Sequence, residues 1–244
     1  GWTRCGCARS PSGRWLRPSF VPPADIRQLR DLTRYRIDLV GVRTAEKSRV
    51  EKLLEDACLK VSVVASDIFG VSGRAMMTAL IAGERDPKVL AELARTRMRT
   101  KIPQLEEAFA GLRLGTFDDH HRFLLARMLA RVDAVDADIA AVDTQIGQHL
   151  APFADAVARL DEIPGIGPTA AAIIIAEIGL DMTRFPTPAH LASWAKFAPG
   201  INSSAGKNKG NGSTGHGNRY LARVLGEAVA GAGRTDTFLG ARYR

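Results

Sequence analysis

Apolar positions along this chain recur at helical spacing from Pro22-Pro23 onward. Ala24-Asp25 open a segment with no proline until well past Cys58, in which Ile26, Leu29, Leu32, Leu39, Val50 and Leu53 form an apolar stripe. Arg27, Arg30, Arg34, Lys47 and Lys52 populate another face, either a solvated surface or a cationic track for a phosphate backbone. Shorter helices are expected at Val61–Ile68, at Arg74–Ala82 after the Gly70–Gly73 break, at Asp86–Arg97 with Pro87 in its first turn, and at Gln104–Leu112 after Pro103. Asp118-Asp119 then cap the most regular segment. Leu125, Met128, Val132, Val135, Ile139, Val142 and Ile146 alternate steps of three and four, an a/d heptad seam. Asp133, Asp136, Asp138 and Asp143 lie off that seam, which pairs with the Asp25–Cys58 helix or with a second subunit. No strand-like alternation occurs, so the predicted class is all-α: a long coiled-coil hairpin followed by a second helical domain.

Composition narrows the chemistry. The 244 residues carry 34 Lys+Arg against 26 Asp+Glu, a net charge of +8, with 25% charged and 45% hydrophobic residues. Those proportions suit a folded protein of one or two domains and exclude wholesale disorder. Residues 1–60 are net +6 and residues 201–244 net +5, while the middle is net −3. This balance makes nucleic acid the first partner to test. No apolar run approaches the length of a membrane span; the longest, Ala170–Ile178, is about half of it. Three cysteines build no disulfide framework and fit a reducing cytoplasm. Cys5-Gly-Cys7 lacks a second ligand pair at metal-site spacing, and residues 1–24 are expected to be a disordered tail or linker remnant.

The second half carries the candidate chemistry. Leu160-Asp-Glu-Ile-Pro-Gly165-Ile-Gly167-Pro-Thr169 has the form of a helix–hairpin–helix: two glycines allow a tight turn, and the following helix offers free N–H groups to a phosphate. Such a contact positions DNA without reading sequence. Thr187-Pro188 start another helix, in which Trp194, with Phe197 beyond it, is expected in the core and His190 is expected to be structural. The Gly/Ser/Asn/Lys-rich stretch from Pro199 to Asn218 reads as an exposed loop leading into a helix at Tyr220–Ala232. It lacks Walker A spacing. A serine nucleophile there, such as Ser204, needs a base or a cationic pocket, and Lys207, Lys209, His216, Arg219 and Arg223 are the residues at hand.

Leu160–Pro168, Arg184-Phe-Pro-Thr, His190-Leu-Ala-Ser-Trp, Pro199-Gly, Ser204-Ala-Gly-Lys and Gly217-Asn-Arg-Tyr-Leu together resemble the C-terminal domain of insertion-sequence 110/116/902 family transposases. Leu16-Arg-Pro-Ser-Phe-Val-Pro-Pro, Leu32-Thr-Arg-Tyr-Arg, Glu51-Lys-Leu-Leu-Glu-Asp and Asp67-Ile-Phe-Gly-Val-Ser-Gly-Arg resemble the family's middle helical region. The resemblance implies a coiled-coil region over residues 25–152 and a C-terminal transposase domain over residues 153–244. It implies an RNA-guided DNA recombinase whose serine, here Ser204 with Ser203 as neighbouring alternative, attacks a DNA phosphodiester. Lys207, Arg219 and Arg223 would stabilise the phosphate, with Gly165, Gly167, Thr169 and Lys209 contacting nucleic acid. Its implied partners are DNA, the guide RNA of the element and a further copy of the chain, in a bacterial, nucleoid-associated setting.

The family's acidic, magnesium-type metal site precedes the Leu16–Pro23 linker, and no residue of Gly1–Trp15 is Asp or Glu. No cofactor is therefore expected in this chain, which reads as a truncated copy inactive by itself in strand exchange. The alternatives are a non-enzymatic helix–hairpin–helix DNA-binding protein and a coiled-coil scaffold with no affinity for DNA.

Overall fold

The computed structural model describes residues 22–198, 203–204, 207–208 and 214–243, with only the backbone pairing given for residues 203–208. The class is all-α, apart from a two-residue antiparallel ladder joining Ser203-Ser204 to Lys207-Asn208. Strands of two residues are too short to leave an alternating pattern in a sequence. The chain forms two compact units, one of residues 31–152 and one in which the chain up to Arg30 joins residues 153–244.

Helix α1 (Ala24–Asp56) runs through the whole proline-free segment. Short helices α2 (Val61–Val64), α3 (Val71–Ala82), α4 (Pro87–Glu92) and α5 (Ile102–Ala108) follow, and then α6 (Asp119–Leu150). In the 31–152 unit α1 and α6 pack antiparallel. Leu39 is buried against Val135 and Ile139, so that part of the heptad seam is filled from within the chain. Two ion pairs set the register: Arg36 Nε lies 2.5 Å from Asp143 Oδ1, and Arg43 Nη1 lies 2.8 Å from Asp136 Oδ1. A step of one heptad forward on α1 is thus matched by one heptad back on α6. Asp133 pairs instead with Arg74 of α3. The small helices close around Phe109, Leu59, Leu90 and Leu105, all fully buried, with Leu125 and Leu129 of α6 in the same core.

The start of α6 is capped as expected: the Asp118 carboxylate accepts from the backbone N–H of His121. Three helices end sooner than expected, among them α5, which closes at Ala108 with Ala110–Leu114 following as a 3-10 helix. α2 stops at Val64 because Ala65 turns extended, and α4 stops at Glu92, after which Thr96–Lys101 continue as a 3-10 helix.

In the other unit, α7 (Ala154–Asp161) precedes α8 (Pro168–Ile178). α9 (Pro188–Trp194), α10 (Arg219–Ala232) and α11 (Phe238–Tyr243) follow. Residues Ala171 to Glu177 are all buried, so α8 is the central helix here, packed by α7 and α10. An apolar helix with no polar face is the sequence form of such an element. Trp194 departs from expectation. It is 44% exposed, packing one edge on Phe185 at a ring distance of 5.4 Å, because α9 is a short surface helix with no buried residue.

Candidate nucleic-acid interface

The helix–hairpin–helix motif is α7, the turn through Gly167, and α8. Ile163 and Ile166 close the turn: the Ile166 N–H donates to Ile163 O at 2.9 Å, and Ile166 is buried. Gly165 sits at φ +89°, and a Cβ built on it would lie 2.2 Å from the Ala228 carbonyl oxygen of α10. Its lack of a side chain is therefore required by the turn and by the close approach of α10. Gly167 differs. It is extended, it precedes Pro168 as the N-cap of α8, and a Cβ there meets nothing within 4 Å. Pro168 has no N–H to leave unsatisfied, and Thr169, exposed, begins the open N–H groups of the first turn. This end of α8 has the room and polarity for an anion.

At the opposite end of α8 stands Glu177, its side chain 1% exposed. Asn218 Nδ2 donates to Glu177 Oε2 at 2.5 Å, while Asn218 Oδ1 accepts from the backbone N–H groups of Tyr220 and Leu221 at 3.0 and 3.2 Å. Arg30 completes the cluster: its Nε donates to Ala176 O at 2.9 Å and lies 3.5 Å from Glu177 Oε2. One carboxylate thus ties the start of α10 and the start of α1 to the end of α8. Gly217 is held just before it, where a Cβ would lie 2.2 Å from Ala195 O and 3.0 Å from Lys196 Cβ.

The cations predicted in this region follow from the placement of α10. Arg219 is exposed on its first turn, stacked over the Tyr220 ring at 4.8 Å and donating to the Tyr220 hydroxyl at 2.7 Å. Arg223, one turn on, pairs with Glu227 at 2.9 Å on the exposed surface. Ser204 is the ladder partner of Lys207, which sets their backbones side by side. Lys209 lies outside the described residues, as do the side chains of Ser203, Ser204 and Lys207.

Because α8 and α10 run antiparallel, the predicted residues fall into two groups. Gly165, Gly167 and Thr169 lie at one end of the pair, and Arg219 lies at the other beside Asn218. Ten residues of helix between Gly167 and Glu177 separate the ends by roughly 15 Å. Glu177, Asn218 and Lys196 are absent from the predicted set. Glu177 had a signal, an acid inside an otherwise apolar run, but its partners are distant in sequence. Among the described residues no group of three or more His, Cys, Asp or Glu could hold a metal ion. No helix among them is long and apolar enough to cross a membrane.

Residues 157–244 match the family model described as Transposase IS116/IS110/IS902 family. The chain is 26% identical over 221 residues to a probable family 20 transposase of Pseudomonas aeruginosa, covering 91% of this chain and 54% of that protein. It is 42% identical over 66 residues to an uncharacterized 43.6 kDa protein of insertion element IS110 from Streptomyces coelicolor, covering 27% of this chain and 16% of that protein. The chain thus spans about half the length of one relative and less of the other. No solved structure matches it. From residue 157 onward, then, the chain is similar to the transposase domain of the IS116/IS110/IS902 family.

Proposed function

We propose that this chain acts in DNA transposition, binding DNA through its C-terminal unit and supplying Ser204 as the nucleophile of strand exchange. The observation that carries the reading is the family match over residues 157–244, which contain Ser204, Lys207, Arg219 and Arg223 together with the helix–hairpin–helix turn. The Ser204 hydroxyl attacks a DNA phosphorus, a serine–phosphate bond forms, and the bond to one sugar oxygen breaks. The serine proton passes overall to that departing oxygen. Attack by a sugar hydroxyl on the phosphoserine reverses the step and rejoins the strand. Lys207, Arg219 and Arg223 offset the charge that develops on phosphorus oxygens. Lys209 and the Gly165–Thr169 turn hold the flanking backbone.

The same reading includes a guide RNA and self-association. With Leu39 covering Val135 and Ile139, a second copy would meet faces of the 31–152 unit other than that part of the seam. The competing reading is a DNA-binding protein without chemistry, and one residue separates the two. With a nicked DNA substrate that traps the intermediate, and a metal-bearing N-terminal domain of the family supplied alongside, the chain should give a denaturant-resistant DNA adduct that Ser204→Ala abolishes and Ser203→Ala keeps. Salt-dependent DNA binding should survive both substitutions. Binding without any adduct favours the non-enzymatic reading, and absence of both rejects the proposal.

A further inference from the structure

The densest run of cations in the chain lies in the 31–152 unit, outside the matched transposase domain: Arg95-Thr96-Arg97-Met98-Arg99-Thr100-Lys101. Arg95, Arg97, Arg99 and Lys101 are all exposed. The run is fixed at both ends. The Arg95 N–H donates to the hydroxyl of buried Ser72 at 2.9 Å, and Lys101 Nζ donates to Val64 O at 2.8 Å. Between these anchors Thr96 is held at φ +50°, a left-handed conformation that a β-branched residue rarely adopts. The turn at Thr96 ends the α4 region and starts the 3-10 helix Thr96–Lys101.

That helix has three residues per turn, so side chains three apart eclipse. Met98 packs against the core and Lys101 follows it on the same side, reaching Val64. Arg97 and Arg99 therefore project from the two remaining faces. Among the described residues no carboxylate pairs with Arg95 or Arg97, and Arg99 has only a 3.7 Å exposed contact with Glu92. The contrast is with Arg36, Arg43 and Arg74, each matched to an aspartate of α6. Beside the run lies a cleft of about 450 Å³ walled by Lys60, Val63 and Val64 on one side and Lys101, Gln104 and Glu107 on the other. Lys60 also lacks a carboxylate partner among the described residues, and Glu107 is the acid that lines the same cleft.

We infer that Arg95, Arg97 and Arg99, displayed on a pinned 3-10 ridge beside Lys60, form a second nucleic-acid surface that grips a phosphodiester backbone without reading its sequence. The inference rests on the DNA-transposition reading in assuming a nucleic-acid partner, but it assigns that partner a separate seat. Guanidinium groups suit it, since each donates in a planar fork to phosphate oxygens and none here is committed to a buried partner. Of the interleaved threonines, Thr100 donates its hydroxyl to Arg97 O at 2.9 Å and stiffens the ridge, while Thr96 is exposed beside Arg95 and Arg97. Anchoring of the ridge reduces the ordering that binding must impose.

The test measures binding of the full chain to a labelled DNA duplex, and to an RNA duplex of the same length and sequence, from about 50 to 200 mM salt. Arg97→Gln/Arg99→Gln should lower the slope of log affinity against log salt by about 2, roughly one per lost phosphate contact. Arg97→Lys/Arg99→Lys should restore most of it. The charge-matched variant Arg127→Gln/Arg131→Gln, on exposed α6 positions, should leave the slope unchanged. A fall confined to one duplex identifies which nucleic acid sits there.

Equal falls in the two glutamine variants overturn the inference, because bulk charge then explains the binding. An unchanged slope in Arg97→Gln/Arg99→Gln, with a fall in Lys207→Gln/Lys209→Gln, overturns this surface and leaves the transposition reading standing. No binding of either duplex by the unaltered chain overturns both. Loss of binding to phosphatidylserine vesicles, with the duplexes unaffected, assigns the ridge to another partner and also overturns it.

Discussion

Asn218 is bonded in two directions at once: its amide nitrogen donates to the buried Glu177 carboxylate while its amide oxygen caps α10. Neither aspartate nor alanine can do both. Asn218→Ala removes an N-cap worth about 1 kcal/mol and leaves Glu177 short of a donor, so a total loss of roughly 2–3 kcal/mol is expected in urea unfolding. Asn218→Asp keeps the cap but sets two carboxylates together, and should be at least as unstable as Asn218→Ala at neutral pH. Recovery of its stability relative to the parent in mild acid would support the contact, and equal stability at all pH values would count against it.

The two glycines of the hairpin turn should respond in opposite ways. Gly165→Ala meets both the positive φ and the Ala228 carbonyl, and should cost about 2 kcal/mol or more. Gly167→Ala finds open space and an extended backbone, so thermal unfolding should move little, within about 0.5 kcal/mol. If Gly167→Ala nonetheless weakens DNA binding, the defect lies in ligand approach and not in folding.

A pH signature belongs to the junction of α1 and α6. His121 Nδ1 lies 2.7 Å from Asp118, and its Nε2 lies 3.3 Å from Asp56. Burial of the ring opposes its charge, but the hydrogen bonds to the two carboxylates outweigh that and raise its pKa above 6.5. The backbone N–H of His121, and then its ring, hold the Asp118 carboxyl below 3.8. The histidine contribution is fully present below pH 6.5 and fades as pH rises through the folded value. The Asp118 contribution is present above pH 3.8 and fades as pH falls below it. Stability of the 31–152 unit should therefore decline from mildly acid to alkaline pH, and His121→Ala should flatten that decline. An unaltered profile in the variant would assign the dependence elsewhere.

The register of the long hairpin can be read by charge exchange. Asp143→Arg opposes Arg36 and Asp136→Arg opposes Arg43, each lowering stability by up to about 1 kcal/mol because the pairs are solvent-exposed. Adding Arg36→Asp to Asp143→Arg should recover the loss, whereas adding Arg43→Asp to Asp143→Arg should not. Recovery by the mismatched pair would contradict the register.

Long, regular features are legible in the sequence because each is set by its own residues. The heptad of α6, the cap at Asp118, the first-turn Pro87 and the all-apolar character of α8 need no knowledge of distant contacts. Features that depend on a partner far along the chain are not legible. The Asp86 helix reads as continuing to Arg97 because nothing local announces that Ser72 will hold the Arg95 N–H and turn Thr96 into a left-handed conformation. Trp194 reads as core by its size, yet α9 is too short to carry it inward. In the candidate interface the motifs are visible one by one. Their division between two ends of an antiparallel helix pair is not, because it is created by the packing of α8 on α10.

The approach of Gly217 to Ala195 and Lys196 gives the intervening chain a fixed doorway: it leaves and re-enters the fold at almost the same point. Closure entropy of a loop with fixed ends grows only as the logarithm of its length, about 0.6 kcal/mol per doubling. Insertions or deletions between Phe197 and Gly215 should therefore change its length at little thermodynamic penalty to the helices that frame it. Length changes there that spare Ser204 and Lys207 should leave the packing of α8 on α10 in place.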